Sequence, residues 1–152
     1  MRKAQAKLFK LYAKIFLYFL LITILFSFST IVLHELGHFV FGLYSGCKPV
    51  RIVLFDTSIM TTYTEMECPP NVNMFLLGIS GFFVVLPLSL LYFFISRDGE
   101  RYLALIMIGF NFVIAINDFE VYLKLPFSEI FAIFGSLLIV VGEILLIEKT
   151  IF

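Results

Sequence analysis

Charged residues divide the chain into long apolar runs, and these runs predict its membrane-crossing helices. A charge at the centre of a bilayer costs about 3 kcal/mol on insertion scales, so a span should lie where charges are absent. Four runs with few charges in them predict helices over residues 11–44, 73–95, 102–125 and 128–147. The first is the longest and has no Gly or Pro before Gly37, so we expect one tilted or protruding helix.

The segment between the first two spans has a different pattern. Residues 49–67 are rich in Val, Ile, Thr and Tyr with polar residues in the middle, which is typical of a β-hairpin. With Thr57-Ser58 as the turn, Cys47 and Cys68 would face each other at its open end. They would form a disulfide on an oxidising side of the membrane, or remain two free thiols.

The composition also favours a membrane protein. Of the 152 residues, 61% are hydrophobic and 14% are charged, whereas soluble domains are about half apolar and about a quarter charged. Lys+Arg and Asp+Glu both number 11, which gives no electrostatic basis for nucleic-acid binding. We expect one integral domain over residues 1–152: an all-α membrane protein of about four transmembrane helices in the lipid bilayer, with a short β-hairpin between helices 1 and 2.

The basic residues predict the orientation of this multi-pass protein. With four spans, eight Lys and Arg residues lie on one side, five of them within the first 14 residues, against three on the other side. The positive-inside rule then places the N-terminus in the cytoplasm. A cleaved signal peptide is the rival interpretation, because a small-x-small step occurs at Ser27-Phe28-Ser29. Cleavage there would leave the following apolar stretch too short to cross.

The motif His34-Glu35-Leu36-Gly37-His38 lies inside the first apolar run. Its histidines are four residues apart, so both imidazoles project from one helix face and can bind one Zn²⁺. Glu35 lies beside them, where it can take a proton from a zinc-bound water. In a soluble helix such histidines are often merely solvated, but His and Glu within an apolar span need a partner or a cavity.

A catalytic zinc site usually has a third protein ligand, and Asp118 is the best candidate. Odd-numbered spans end on the same side of the membrane, and Asp118 lies about 10 Å from its predicted helix end, against about 12–18 Å for the two histidines. Glu120, on another face of the same helix, stays open as the alternative ligand. Asn111 and Asn117 could support the transition state or a ligand, or could only join helices through hydrogen bonds.

The stretch HELGHFVFGLYSGCKPVRI resembles the site-2 protease family of intramembrane zinc metalloproteases. In that family HExGH is followed by an apolar stretch, a glycine and a short β-structured segment. Gly78-Ile79-Ser80-Gly81 and Pro87 are similar to the family's glycine-rich second core helix. The resemblance also implies an Asp ligand on the third core helix, which corresponds to Asp118, although this chain has Asn117-Asp118-Phe119 in place of the family's Leu-Asp-Gly.

The resemblance implies a zinc-dependent membrane endopeptidase that hydrolyses peptide bonds in or near the transmembrane segments of a membrane-protein substrate. His34, His38 and Asp118 would bind the metal and Glu35 would be catalytic. The alternative is a non-catalytic zinc-binding membrane protein that binds a partner helix. Metal transport is a third interpretation, and it would need more polar residues along the other spans. Substrate, pathway and oligomeric state are not predicted.

Overall fold

Within residues 2–58 and 61–151, which the computed structural model describes, the chain forms five α-helices and one β-hairpin. Three of these helices contain stretches long and apolar enough to cross a membrane, and many of their large apolar side chains are exposed on the outside of the bundle. The elements in chain order are α1 Arg2–Tyr44, β1 Lys48–Asp56, β2 Thr61–Glu67, α2 Met74–Ile95, α3 Arg101–Ile114, α4 Ile116–Val121 and α5 Glu129–Ile151.

The first apolar run forms one uninterrupted helix. α1 has 43 residues, about 65 Å at 1.5 Å per residue, so it is about twice as long as the hydrocarbon layer is thick. The helix ends where the sequence predicts, because Gly46 adopts a left-handed φ of 84°. The N–H groups of Gly46 and Cys47 then bond the carbonyls of Leu43 and Gly42 at 3.1 and 2.8 Å, which closes the last turn.

The third apolar run differs from the predicted continuous helix over residues 102–125. α3 ends at Ile114 after 14 residues. A single turn residue, Ala115, with ψ near 0°, separates it from α4, which ends at Val121. Two sequence features explain the interruption and the early end. The short polar side chains of Asn117 and Asp118 compete for backbone hydrogen bonds, and the residue before Pro126 is disfavoured in helical conformation. The described residues therefore contain three membrane-length helices rather than four.

Glycines allow close approach at two helix contacts. A Cβ added at Gly37 of α1 would lie 2.8 Å from the Gly81 Cα of α2. A Cβ added at either Gly109 of α3 or Gly135 of α5 would lie 2.5 Å from the other's carbonyl oxygen. Small residues of this kind let helix backbones pack tightly where apolar lipid gives no hydrophobic drive.

Two apolar clusters fix the relative positions of the helices. Phe19, Ile106 and Leu146 join α1, α3 and α5, and beside them Thr23 donates a 2.8 Å hydrogen bond to Glu143. The second cluster holds the short helix α4 in place. Its residue Phe119 is buried, with ring centroids 5.2 Å from Phe82 of α2 and 4.9 Å from Phe131 of α5.

The predicted hairpin is confirmed as two antiparallel strands, β1 and β2. At the open end Lys48 pairs with Glu67 in the predicted register, and Cys47 and Cys68 form a disulfide. Irregularities between Pro49 and Arg51 and between Val53 and Asp56 shift the register toward the tip, where Asp56 pairs with Thr61. The connection is therefore longer than the predicted two-residue turn, because each bulge adds a residue to β1.

Candidate metal centre

The two histidines and Asp118 meet at the interior of the helix bundle. His34 and His38 project from one face of α1, with ring centroids 4.9 Å apart. Their Nε2 atoms lie 2.8 and 3.2 Å from one oxygen, Oδ2 of Asp118, in the first turn of α4. Both histidines are buried, and the three donor atoms all lie within 4.8 Å of one another. This group could therefore hold a metal ion.

Hydrogen bonds on the far side of each ring place a hydrogen on the Nδ1 atom of both histidines. His38 donates from Nδ1 to the Leu77 carbonyl at 2.9 Å, and a carbonyl can only accept. Asn111 donates from Nδ2 to the Phe82 carbonyl at 3.1 Å, so its Oδ1 faces His34 and accepts from Nδ1 at 3.0 Å. In the neutral form of each ring, Nε2 then carries no hydrogen and can offer its lone pair to a metal ion, whereas a doubly protonated ring donates from Nε2 to Asp118.

Three electron-rich atoms at this separation need positive charge between them. Two imidazole lone pairs and a carboxylate oxygen repel one another in a dry interior unless a metal ion or protons lie among them. The two imidazole nitrogens and the carboxylate oxygen are close enough together that all three could hold one cation. The site chemistry and the orientation of both rings thus fit a bound cation.

The backbone of α2 leaves room for the rings because a glycine faces them. A Cβ added at Gly81 would lie 2.6 Å from His38 Nε2 and 2.7 Å from His34 Nε2. The facing glycine of α1, Gly37, permits the same close approach from the other side. The glycine-rich sequence of α2 is therefore required by the geometry of the candidate metal ligands.

Glu35 lies next to the histidines and is held by the hairpin. Its side chain is almost completely buried, with 2% of the residue exposed. Thr62 donates to Oε1 at 2.7 Å and Thr64 donates to Oε2 at 2.7 Å. Both oxygens of the carboxylate are thus engaged by hydroxyl groups of β2, which is the strand nearer in sequence to α2.

A cavity of about 420 Å³ gives access to the site. It is bounded by Glu35, His38 and Asp118 on the inner side and by residues of β2 and of the chain that follows it. Tyr122 also lines the cavity, and its ring packs against Gly78 of α2, where no other residue would leave room for it. The cavity therefore places a metal-binding group, a carboxylate and a phenol at one opening.

The structure distinguishes between the alternatives for the third ligand. Asp118 lies at the histidines, whereas Glu120 is exposed on another face of α4. The structure also distinguishes between the two candidate asparagines. Asn111 is fully buried and bonds His34, while Asn117 is exposed and does not belong to the histidine and aspartate group.

Three residues at the site do not stand out in the sequence. Thr62 and Thr64 occupy alternate positions of a strand, so the pattern shows that they share a face. It gives no indication that this face packs on α1. Tyr122 follows Asp118 by four residues, one helical turn, and that spacing is the signal that could have found it.

Comparisons with protein-family models, with curated proteins and with solved structures find no match. A function for this chain therefore rests on the chemistry and geometry of the site and on the resemblance of its motif.

Proposed function

We propose that this chain is a zinc-dependent intramembrane endopeptidase similar to the site-2 proteases. The observation that carries the proposal is the meeting of His34, His38 and Asp118 at the cavity that Glu35 lines. Two imidazoles and a carboxylate are a usual ligand set for catalytic zinc, which keeps a fourth position open. When bound there, zinc would acidify a water molecule and polarise a peptide carbonyl.

The residues of the chain then have separate tasks. His34, His38 and Asp118 hold the metal, and the acceptors on their Nδ1 atoms, Asn111 and the Leu77 carbonyl, keep both rings oriented. Glu35 takes a proton from the attacking water as the new C–O bond forms. It returns that proton to the amine nitrogen as the peptide C–N bond breaks.

The substrate class follows from the surroundings of the cavity. Its opening lies between membrane-length helices and the hairpin, so a transmembrane segment can approach from the lipid. A peptide must be extended and unwound at the bond that is cut, and a free edge of the hairpin can pair with such a segment. We propose that the substrates are membrane proteins cleaved in or near their transmembrane segments.

For the topology we propose four crossings, with α3 and α4 together forming the third. Support comes from the contacts at one end of the bundle, where Phe19, Ile106 and Leu146 pack together. Gly99, in the link between α2 and α3, lies beside Lys149 near the end of α5. The N-terminal half of α1, this link and the end of α5 thus share one side, which carries most of the basic residues.

Two further arguments support a cytoplasmic N-terminus. The basic residues favour it by the positive-inside rule. The disulfide between Cys47 and Cys68 lies beyond the opposite end of α1, and disulfides persist where the compartment is oxidising. Both arguments support the proposal that the hairpin and the cavity lie toward the extracytoplasmic side.

The proposal is tested by co-expressing the chain with a panel of single-span membrane proteins and comparing it with Glu35→Gln. Cleavage should require Glu35, while the metal content of the purified variant stays that of the parent. Glu65→Gln is the matched control, since Glu65 pairs with exposed Arg51 on the hairpin. Metal binding with equal processing by parent and Glu35→Gln would favour the non-catalytic alternative, a zinc-binding protein that binds a partner helix.

A further inference from the structure

We propose that Thr62 and Thr64 of β2 are positioning residues for Glu35, and that the hairpin thereby sets the orientation of the catalytic carboxylate. The inference rests on the proposed peptidase function. It adds a requirement that neither the motif nor its resemblance contains, because the two hydroxyls lie 27 and 29 residues after Glu35 in the chain.

Two hydroxyl groups on one strand make the contacts with Glu35. Thr62 and Thr64 are two residues apart in β2, so both side chains face α1. Each binds a different oxygen of Glu35 at 2.7 Å. The Thr64 hydroxyl also lies 3.2 Å from the Glu35 backbone carbonyl. One strand therefore holds both the side chain and the backbone of this residue.

These bonds leave Glu35 able to act on water. An ionised carboxylate has about four positions for accepting hydrogen bonds, and the two hydroxyls occupy two of them. Without them the side chain could rotate about three bonds, and a displacement of about 1 Å from the productive position costs up to about a hundredfold in rate. The hydroxyls thus fix the carboxylate without removing its capacity to take a proton.

The hairpin itself is anchored at its base, beyond Thr64. Met66, two residues beyond Thr64 on the same face, packs against Gly42 of α1, where any larger residue would collide with it. The disulfide between Cys47 and Cys68 closes the hairpin base next to the end of α1. The register of β2 against α1 is therefore defined, and with it the position of both hydroxyls.

The test compares Thr62→Val, Thr64→Val and the double variant with Thr62→Ser and Thr64→Ser. Valine keeps the shape of threonine and suits a strand better than serine does. A structural role would therefore make the serine variants worse than the valine variants, and a positioning role would reverse that order. Thr150→Val is the matched control, since its hydroxyl donates to the Leu146 carbonyl of its own helix.

Turnover and substrate affinity are measured with a substrate that the parent cleaves, together with the metal content. We expect each valine variant to lower kcat by about tenfold to a hundredfold, with KM and metal content unchanged. The serine variants should recover most of kcat, and Thr150→Val should equal the parent. The inference would be overturned if the valine variants had the kcat of the parent, or if the serine variants had a lower kcat than the valine variants. Either result would leave the peptidase proposal intact.

Hydrogen exchange of residues 61–67 provides a readout that does not depend on cleavage. If the two bonds tie the hairpin to α1, the double valine variant should exchange this segment faster than the parent. Unchanged exchange would contradict the inference that these two hydrogen bonds hold the hairpin against α1. If the parent cleaved no substrate and Glu35→Gln behaved in the same way, the peptidase proposal would be overturned. The catalytic part of this inference would fail with it.

Discussion

Asn111 and His34 form a buried hydrogen bond between α3 and α1, with 3.0 Å between Asn111 Oδ1 and His34 Nδ1. Asn111 is in turn oriented by its bond to the Phe82 carbonyl of α2. Three helices therefore determine which nitrogen of one histidine carries the proton. The consequence is that, in the neutral ring, Nε2 can offer its lone pair to a metal ion.

Replacing Asn111 by leucine should weaken metal binding. The N–H of His34 Nδ1 would lose its acceptor in a buried position, and partners of metal-binding histidines are typically worth about tenfold to a hundredfold in affinity. Competition with a metal indicator measures the change on purified protein. Asn71→Leu is the control, because Asn71 is exposed in the turn before α2. Equal affinity in Asn111→Leu and the parent would contradict the assigned tautomer.

Asp118→Ala should remove the metal, whereas Glu120→Ala should retain it. Asp118 directs Oδ2 at both histidines, at 2.8 and 3.2 Å, while Glu120 is exposed. Elemental analysis of the two purified variants beside the parent gives the metal content directly. If Glu120→Ala lost the metal and Asp118→Ala retained it, the assignment of the third ligand would be reversed.

Gly81→Ala should displace the histidine rings. The added methyl group would lie 2.6 Å from His38 Nε2 and 2.7 Å from His34 Nε2, inside any normal contact distance. We expect metal affinity to fall by more than about tenfold, since misplaced ligands cannot share one ion. Gly99→Ala is the control, because a Cβ added there would come no closer than 3.2 Å to its nearest neighbour, the Lys149 Cβ outside the site. Unaltered affinity in Gly81→Ala would show that α2 does not constrain the rings.

The disulfide should protect both cysteines from alkylation in intact cells or membranes until a reductant is added. Replacing Cys47 and Cys68 by serine should loosen the hairpin, because a cross-link across 21 residues stabilises the closed loop by about 3 kcal/mol. Hydrogen exchange of residues 61–67 measures the loosening. Cysteines that react fully without reductant would contradict both the disulfide and the extracytoplasmic position proposed for the hairpin.

The hydrophobic pattern predicts the long helices well because a bilayer penalises each charge strongly. The register predicted from a Thr57-Ser58 turn is confirmed at the base of the hairpin, where Lys48 pairs with Glu67, but it is wrong toward the tip, where Asp56 pairs with Thr61. The hydrophobic pattern fails over residues 102–125, where apolarity continues past Ala115 although the helix does not. Apolarity reports on the surroundings of a residue, whereas the turn at Ala115 is a matter of local backbone conformation, which apolarity does not encode.

The sequence likewise identifies part of the candidate site and misses another part. Spacing within one helix is fixed by the helical repeat, so His34, Glu35 and His38 are recognisable from sequence alone. The choice of Asp118 over Glu120 needed only span parity and depth, and the structure places Asp118 at the histidines. The contacts of Glu35 with Thr62 and Thr64 depend on how the hairpin folds back on α1, and no local pattern encodes that packing.

The break at Ala115 gives α5 a role in the chemistry although it contributes no residue to the metal-binding group. Backbone that leaves helical geometry at membrane depth persists only where protein or water surrounds it. Ala115 is fully buried, and α5 covers the junction through Phe131 against Phe119 and Gly135 against Gly109. In the proposed four-crossing topology, the last helix would therefore separate the turn that carries Asp118 from the lipid, so that a polar site could exist inside an apolar bundle.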